Sequence, residues 1–500
     1  MGKKEFFEQM KALGLALTYN DVRLKTSYSS VMPDSANIES RFSKNIPLKM
    51  PIVSAAMDTV TESELAIEMA KLGSLGIIHK NMSPADQAKQ VSRVKRHLNG
   101  LIDSPLLVYD DQTMQEVLEM REKLNLSFHT FPVINRQGKL VGILTENDFD
   151  FCSNYSLHVQ EVMSNQLLTA PENTSVAEAY KLMLSRKKKV LPLVDFQGFL
   201  KGMYIFSDVK RIITGSSSSY NVDARGQLRV GAAIGVKNDA LERTKALVQE
   251  NIDVVVIDTA HGDSLAVLET LKEIKSLYPN LDVVAGNVSE PESALRLIQA
   301  GADGIKIGQG PGSICTTRII AGIGCPQVTA VYNCSQIAQQ YNVPICADGG
   351  LSYSGDIPIA IGVGADCVMM GRMLAGTKEA PGDLVFRDGR QWKSYRGMGS
   401  IGAMQEHKGS RDRYNQRDAS KDSMIPEGVE GLVPYQGELK EVIKQYIGGL
   451  KRGMGYVGAG SIPELKEKSD LHRISPAGQA ESHPHNIFIT KESPNYPGSV

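Results

Sequence analysis

Eight short apolar runs constrain this chain more than any other feature. They occupy residues 51–54, 76–79, 230–234, 254–258, 283–287, 304–308, 344–348 and 368–371, most of them closing on Gly, Asp, Asn or Ser, with helical-period segments between most pairs. That rhythm predicts β/α units and a parallel sheet. Eight such units close into a (β/α)8 TIM barrel of the α/β class, whose reactive residues stand at the C-terminal ends of the strands and whose phosphate sites commonly follow strands seven and eight. Asp348-Gly349-Gly350 and Gly371-Arg372 fall there, and a glycine-rich loop carrying Cys315 follows the sixth strand. All three loops are predicted to open on one face.

About 150 residues separate the second and third runs, far more than a βα loop needs. Within this insert, residues 132–142 align with 192–202 at an offset of 60, and Asp148 and Asp208 keep the same offset. Each copy reads as helix, strand, Gln-Gly turn, strand and helix, so two copies pack as one pseudo-symmetric α+β domain. The repeat resembles a tandem cystathionine-β-synthase (CBS, or Bateman) module. The resemblance implies a purine nucleotide site whose ribose is held by Thr145 and Asp148. The second copy has Ile205 where the threonine belongs, so one site is expected; a structural spacer is the other reading. The expected boundaries are 1–100 and 221–500 for the barrel and 101–220 for the insert, with flexible connections at Asn99-Gly100 and Gly215-Ser216-Ser217-Ser218-Ser219.

A net charge of -1 and a pI near 6.8 supply no overall footprint for nucleic acid or an anionic membrane, so neither is expected as a partner. Six cysteines (Cys152, Cys315, Cys325, Cys334, Cys346 and Cys367) lack metal-ligand spacing and are sparse for a disulfide scaffold, which fits a reducing compartment. No apolar run reaches the roughly 18 residues of a membrane helix, and the charged N-terminal stretch has no signal-peptide core. A soluble, cytoplasmic protein is expected.

Cys315 lies in Gly308-Gln309-Gly310-Pro311-Gly312-Ser313-Ile314-Cys315-Thr316-Thr317-Arg318. Three glycines free the backbone so that amide N–H groups can approach an anion. Ser313 and Arg318 add a hydroxyl and a charge, and a thiol in such a setting is biased toward the reactive thiolate. A buried structural cysteine in a tight turn is the alternative.

This loop, together with Leu17-Thr18-Tyr19-Asn20-Asp21-Val22, Val53-Ser54-Ala55-Ala56-Met57-Asp58-Thr59-Val60, Gly76-Ile77-Ile78-His79-Lys80-Asn81-Met82, Ala347-Asp348-Gly349-Gly350-Leu351 and Tyr395-Arg396-Gly397-Met398-Gly399-Ser400, resembles the inosine 5′-monophosphate (IMP) dehydrogenases over nearly the whole chain. The resemblance implies oxidation of IMP to xanthosine 5′-monophosphate with NAD, through a covalent adduct that is then hydrolysed, as a step toward guanine nucleotides. Cys315 would be the nucleophile, which splits one hard step into two. Ser313, Gly312, Gly350, Gly371, Arg372 and Tyr395 would hold the phosphate, and Asp348, next to Gly349, the ribose hydroxyls. Gly397, Met398, Gly399 and Glu427 would frame the base. Arg372 stands where the family more often has serine, and a guanidinium there favours a dianion.

No Gly-x-Gly-x-x-Gly fingerprint sits between a strand and a helix, so NAD is expected at the barrel mouth. Asp258, ending the fourth strand, is the candidate for its ribose hydroxyls, with His261-Gly262-Asp263-Ser264 continuing the loop and Asn287 nearby; a helix N-cap is the alternative for Asp258. Residues 387–433 are too rich in Gly, Arg, Asp and Ser for a core and predict a mobile flap. Within it, Arg413-Tyr414 matches the family's water-activating pair, and Thr317 with Glu427 a second proton relay. Pairing of Arg413 with Asp412 or Asp418 on a solvated loop is the other reading. The family also implies a potassium ion ringed by carbonyls of Gly310, Gly312 and Cys315 and completed by Glu481, Ser482 and His483 from a neighbouring subunit, hence a homotetramer. His483 and His485 alone are a weak transition-metal pair.

Two rivals remain. Guanosine 5′-monophosphate (GMP) reductases share the cysteine loop, but are expected to be shorter, without the insert and without Arg413-Tyr414. A catalytically idle purine nucleotide sensor is the third reading.

Overall fold

The computed structural model describes residues 2–97, 101–102, 105–124, 126, 128–214, 219–414, 416, 423–491, 493 and 495–496. The chain divides into two compact units: Met1–Lys95, Ser219–Asp223 and Leu228–Val500 form one, and Arg96–Ser218 with Ala224–Gln227 the other. The linker residues Asn99, Gly100 and 215–218 lie outside the described residues.

In the first unit, eight parallel strands close into a barrel. They are β1 (Ile52–Ser54), β2 (Leu75–Ile78), β3 (Gly231–Ile234), β4 (Val254–Asp258), β5 (Asp282–Val288), β6 (Gly304–Ile307), β7 (Ile345–Asp348) and β8 (Cys367–Met370). Each follows the chain order of its neighbour, β8 pairs with β1, and β2 pairs with β3 to close the ring. Helices such as Ser63–Lys71, Lys237–Gln249 and Leu265–Leu277 follow the strands. Every predicted barrel strand is present.

Side chains alternate across a strand, and that parity builds both ends of the barrel interior. Val53, Leu75, Ile77, Ala233, Val254, Val256, Val284, Cys346, Cys367 and Met369 form one buried apolar cluster. Phe42, Ile46 and Leu48 join it from a hairpin, Ser40–Ser43 with Ile46–Leu48. This hairpin hydrogen-bonds to residues at the strands' N-terminal ends: Lys44 N–H donates to Asp303 O (3.0 Å) and Ser43 Oγ to Asp282 Oδ2 (2.5 Å). It plugs the lower mouth, so the interior opens at the C-terminal mouth. Two residues beyond Val256 and Cys346, the same inward parity turns polar, at Asp258 and Asp348.

The polar stretch 387–433 carries more regular structure than its composition suggests. Strands β9 (Leu384–Arg387), β10 (Arg390–Arg396) and β11 (Glu430–Pro434) form an antiparallel sheet. Helices Ile401–Glu406 and Lys408–Arg413 follow β10, the first N-capped by Ser400. Met398, Ala403, Met404 and Val433 are buried. Isolated apolar residues with no sustained period carry this packing, which is why the sequence pattern hides it. Residues 415 and 417–422, including Asp418, lie outside the described residues.

In the second unit each repeat contains its helix–strand–strand–helix set: Met114–Lys123, Phe131–Ile134, Leu140–Leu144 and Glu146–Asp150, then Val176–Arg186, Val190–Val194, Leu200–Ile205 and Phe206–Ile213. Each has its own core, around Phe131, Val133 and Leu144 and around Leu191, Leu193 and Tyr204. The halves meet where their turns pair, Leu140 N–H donating to Gly198 O (3.1 Å). Thr145 and Asp148 form a capping box, the threonine hydroxyl donating to Asp148 Oδ2 at 2.8 Å. Asp208 in the second copy pairs with Arg211 at 2.5 Å. Among the described residues, no helix is long and apolar enough to cross a membrane.

Candidate active site

The Cys315 loop spans the step from β6 to the helix Thr317–Ile320. Gly308 at φ +140° and Gly310 at φ +74° take conformations that side chains rarely adopt, and a Cβ on Gly308 would stand 2.2 Å from Asp348 O. The loop therefore lies directly against the end of β7. On its other side it pairs with the segment before β11: Thr316 N–H donates to Glu427 O (3.0 Å) and Val429 N–H to Ile314 O (2.9 Å). Glu427 N–H in turn donates to Gly399 O (3.0 Å). Backbone pairing thus binds the cysteine loop, Gly397-Met398-Gly399 and Glu427 into one wall.

Two adjoining cavities lie beside this wall. One is lined by Cys315, Gly310, Gly312, Asp258, Asn287, Lys306, Asp348, Gly349, Tyr395, Gly397, Met398, Arg413, Tyr414 and Glu427. The other shares Gly312, Asp348, Gly349 and Tyr395 and adds Ser313, Gly350, Gly371 and Arg372. Residues from 258 to 427 thus meet around one thiol. Cys315 Sγ lies 3.1 Å from Thr317 Oγ1. Thr317 lines neither cavity, and its hydroxyl meets the sulfur rather than the Glu427 side chain. Gly399 also lines neither; a Cβ there would stand 2.7 Å from the Tyr414 ring, so its contribution is to let that ring approach.

At the cavity floor Lys306, 2% exposed, joins both inward carboxylates. Its ammonium is 2.6 Å from Asp348 Oδ2 and 2.8 Å from Asp258 Oδ1. The second contact is an ion pair without hydrogen-bond alignment, so among the described residues the buried Asp258 Oδ1 has no hydrogen-bond donor. Asn287 sits at a register shift in β5 and donates to Asp348 Oδ2 (2.9 Å) and Gly308 O (2.7 Å). Asp258 is therefore not a helix cap; Ser264 caps the following helix instead.

Arg413 is not on a solvated loop. Its guanidinium pairs closely with Asp258 Oδ2, and its carbonyl accepts from Ala260 N–H (3.1 Å). Asp412 faces Lys80 instead, at 3.9 Å. Burial pushes the Tyr414 hydroxyl above its ordinary range, an effect that Arg413 partly offsets. Burial likewise lowers the buried Lys80 ammonium to about 7; its Nζ donates to Asp258 O at 3.1 Å. Burial also raises the Tyr395 phenol, against a lowering by Ser313 and Arg372.

Several expected neighbours are engaged elsewhere. Arg318 donates to backbone carbonyls of Gln309 (3.1 Å) and Cys325, and lines neither cavity. Asp263 is held by Arg296 and Ser293, and the arginine keeps its carboxyl below the usual range. Glu481, Ser482 and His483 lie in the C-terminal tail, where His483 Nδ1 is 2.8 Å from the Tyr496 hydroxyl and its ring packs on Tyr353. Within one chain they do not meet the cysteine loop's cavities. Sequence reasoning passed over Lys306 and Lys80. The signal for Lys306 was a lysine at an inward strand position, where an unpaired charge cannot remain.

A family model described as the IMP dehydrogenase / GMP reductase domain matches residues 16–485. The chain belongs to that family. Inosine-5′-monophosphate dehydrogenase of Chlorobaculum parvum is 46% identical over 493 residues, covering 97% of this chain and 99% of its own. The Halalkalibacterium halodurans protein of that name is 47% identical, covering 96% of this chain and 98% of its own. Among solved structures of the family, an alanine-for-cysteine variant of GMP reductase from Trypanosoma brucei, in complex with guanosine 5′-monophosphate, superposes with a TM-score of 0.87 at 38% identity, over 96% of this chain and 100% of its own. A reductase of matching length means that chain length does not separate the family's two activities, contrary to expectation.

Proposed function

We propose that this chain oxidises IMP to xanthosine 5′-monophosphate with NAD and water. The observation that carries the reading is the convergence of Cys315, Asp348, Asp258 and Arg413-Tyr414 on one cavity. The phosphate is assigned to Ser313, Gly350, Gly371, Arg372 and Tyr395, and the ribose hydroxyls to Asp348. Cys315 adds as thiolate to C2 of the purine; hydride then leaves C2, and a thioimidate remains on the sulfur. NAD supplies the hydride acceptor when bound. Asp258 Oδ2, which Arg413 occupies, fits a ribose hydroxyl once the arginine withdraws, with Asn287 adjacent. Water then adds to C2, Cys315 departs as thiolate, and one proton of the water must be removed. Arg413 and Tyr414, both on the cavity, are assigned to that removal; an arginine is a poor base in water, and its burial, with its charge acting on the Tyr414 hydroxyl, supports the assignment.

Because Arg413 pairs with Asp258, the group assigned to NAD, the two are mutually exclusive there. The chain thus alternates between a dinucleotide-bound site for oxidation and an arginine-bound site for hydrolysis. Potassium at the Gly310, Gly312 and Cys315 carbonyls, completed by Glu481, Ser482 and His483 of a neighbouring copy in a homotetramer, and purine nucleotides at Thr145 and Asp148 of a regulatory CBS unit, remain part of the proposal.

The likeness to the trypanosomal GMP reductase favours a second reading, GMP reduction with release of ammonia. Absorbance of reduced cofactor separates the two. Production with IMP and NAD supports dehydrogenation, while consumption of NADPH with GMP and no reaction with IMP would sink it.

A further inference from the structure

Asp258 on β4 and Asp348 on β7 are three strands apart, yet one ammonium serves both. The ladder explains the reach. Asp258 is in register with Gly286 on β5, Gly286 with Lys306 on β6, and Lys306 with Cys346 on β7. Adjacent strands lie about 4.8 Å apart, so Asp258 and Lys306 are separated by roughly twice that, within the combined reach of the two side chains only if nothing stands between. Gly286 stands between, and a Cβ there would come within 2.7 Å of Lys306 Cβ. The bare backbone opens the path. Asn287 completes the cluster, its amide donating to Asp348 and its oxygen accepting from Lys306.

We infer that Lys306 is a positioning residue shared by both ligand sites, a single cation that holds the Asp258 and Asp348 carboxylates in place and aimed at the two ribose diols. The inference rests on the assignment of those carboxylates to IMP and NAD. A carboxylate accepts at both oxygens, so the oxygen of each that meets the ammonium leaves its partner oxygen for a diol. Without the ammonium, Asp258 is left with Arg413, which NAD must displace, and Asp348 with the Asn287 amide, so each carboxylate loses the cation that fixes its aim at a diol. Loss of this one cation therefore degrades both sites together, although neither sugar needs to touch it.

The test is Lys306→Met beside Lys306→Arg, with the Kd of IMP and of NAD each measured alone by titration calorimetry, and KM, kcat and melting temperature measured in parallel. Both Kd values and both KM values are expected to rise at least about tenfold in Lys306→Met, with kcat falling less, the pattern of lost uniform binding. Lys306→Arg keeps the charge on a planar fork that fits the three acceptors poorly, and is expected to raise both by about threefold. A Lys306→Met protein that melts like wild type and shows only one Kd raised, or neither, overturns the inference. If Lys306→Met does not fold, unchanged Kd values in Lys306→Arg overturn it. Wild type is assayed alongside. Absence of NADH from IMP in wild type refutes the ribose assignment itself, whereas normal wild-type turnover with unmoved variant constants refutes only the role of Lys306.

Discussion

Replacing Arg413 by alanine tests the alternation directly. The Arg413–Asp258 pair is largely buried, with side chains 17% and 4% exposed. Breaking a buried pair usually leaves an uncompensated charge and costs about 3–5 kcal/mol. Here Lys306 stays on Asp258, so the smaller value for a hydrogen bond to a charged group, about 2 kcal/mol, applies. That energy stabilises the arginine-bound state alone, and its loss shifts the closure equilibrium about thirtyfold toward the state open to NAD. The apparent KM for NAD should fall by up to that factor, while hydrolysis loses its proton acceptor. Stopped-flow absorbance on mixing the variant with IMP and NAD should then show a burst of one NADH per site, followed by a steady rate at least about a hundredfold below wild type. Arg413→Lys should fall between. A variant with an unchanged burst-to-steady ratio, or with a raised KM for NAD, would falsify both the competition and the proton role.

Three further outcomes follow from the geometry. Arg372→Ser should raise the KM for IMP by about tenfold or more with little change in kcat, since a charge-assisted contact to phosphate is lost; equal KM values would remove Arg372 from the phosphate site. Lys80 has its folded value lowered to about 7 from 10.5, so between those values the unfolded chain binds the extra proton and stability rises with pH. Urea melts of wild type and Lys80→Met should show wild type gaining relative stability from pH 7 to 10, and a constant difference would contradict this. Gly308→Ala places a Cβ against Asp348 O at φ +140° and should lower the melting temperature by several degrees; an unshifted melt would mean that the loop relaxes freely.

The barrel was legible because its strands are buried on both faces and interrupted by turn residues, a pattern that survives without knowledge of any partner. The repeat was legible because similarity at a fixed offset is a property of the string alone. The hairpin plug was not, since its apolar residues do not say which end of the barrel they cover. Nor was the structured stretch after β10, where Met398, Met404 and Val433 bury themselves singly against distant elements.

For the site, residue type and the strand-end rule sufficed to nominate Cys315, Asp258 and Asp348 from the amino-acid order. Choosing between a role and its bland alternative required space. Arg413 had acidic neighbours in sequence, yet its partner is Asp258, more than 150 residues away and within contact only because helix Lys408–Arg413 crosses the barrel mouth. Arg318 and Asp263 looked like ligand contacts and are bound to the protein itself. Lys306 looked like strand filler and holds the floor of the cavity. Local chemistry sets what a side chain can do; the barrel's register, and the gap left at Gly286, select which charge it meets, because electrostatic partners are chosen by distance through space rather than along the chain.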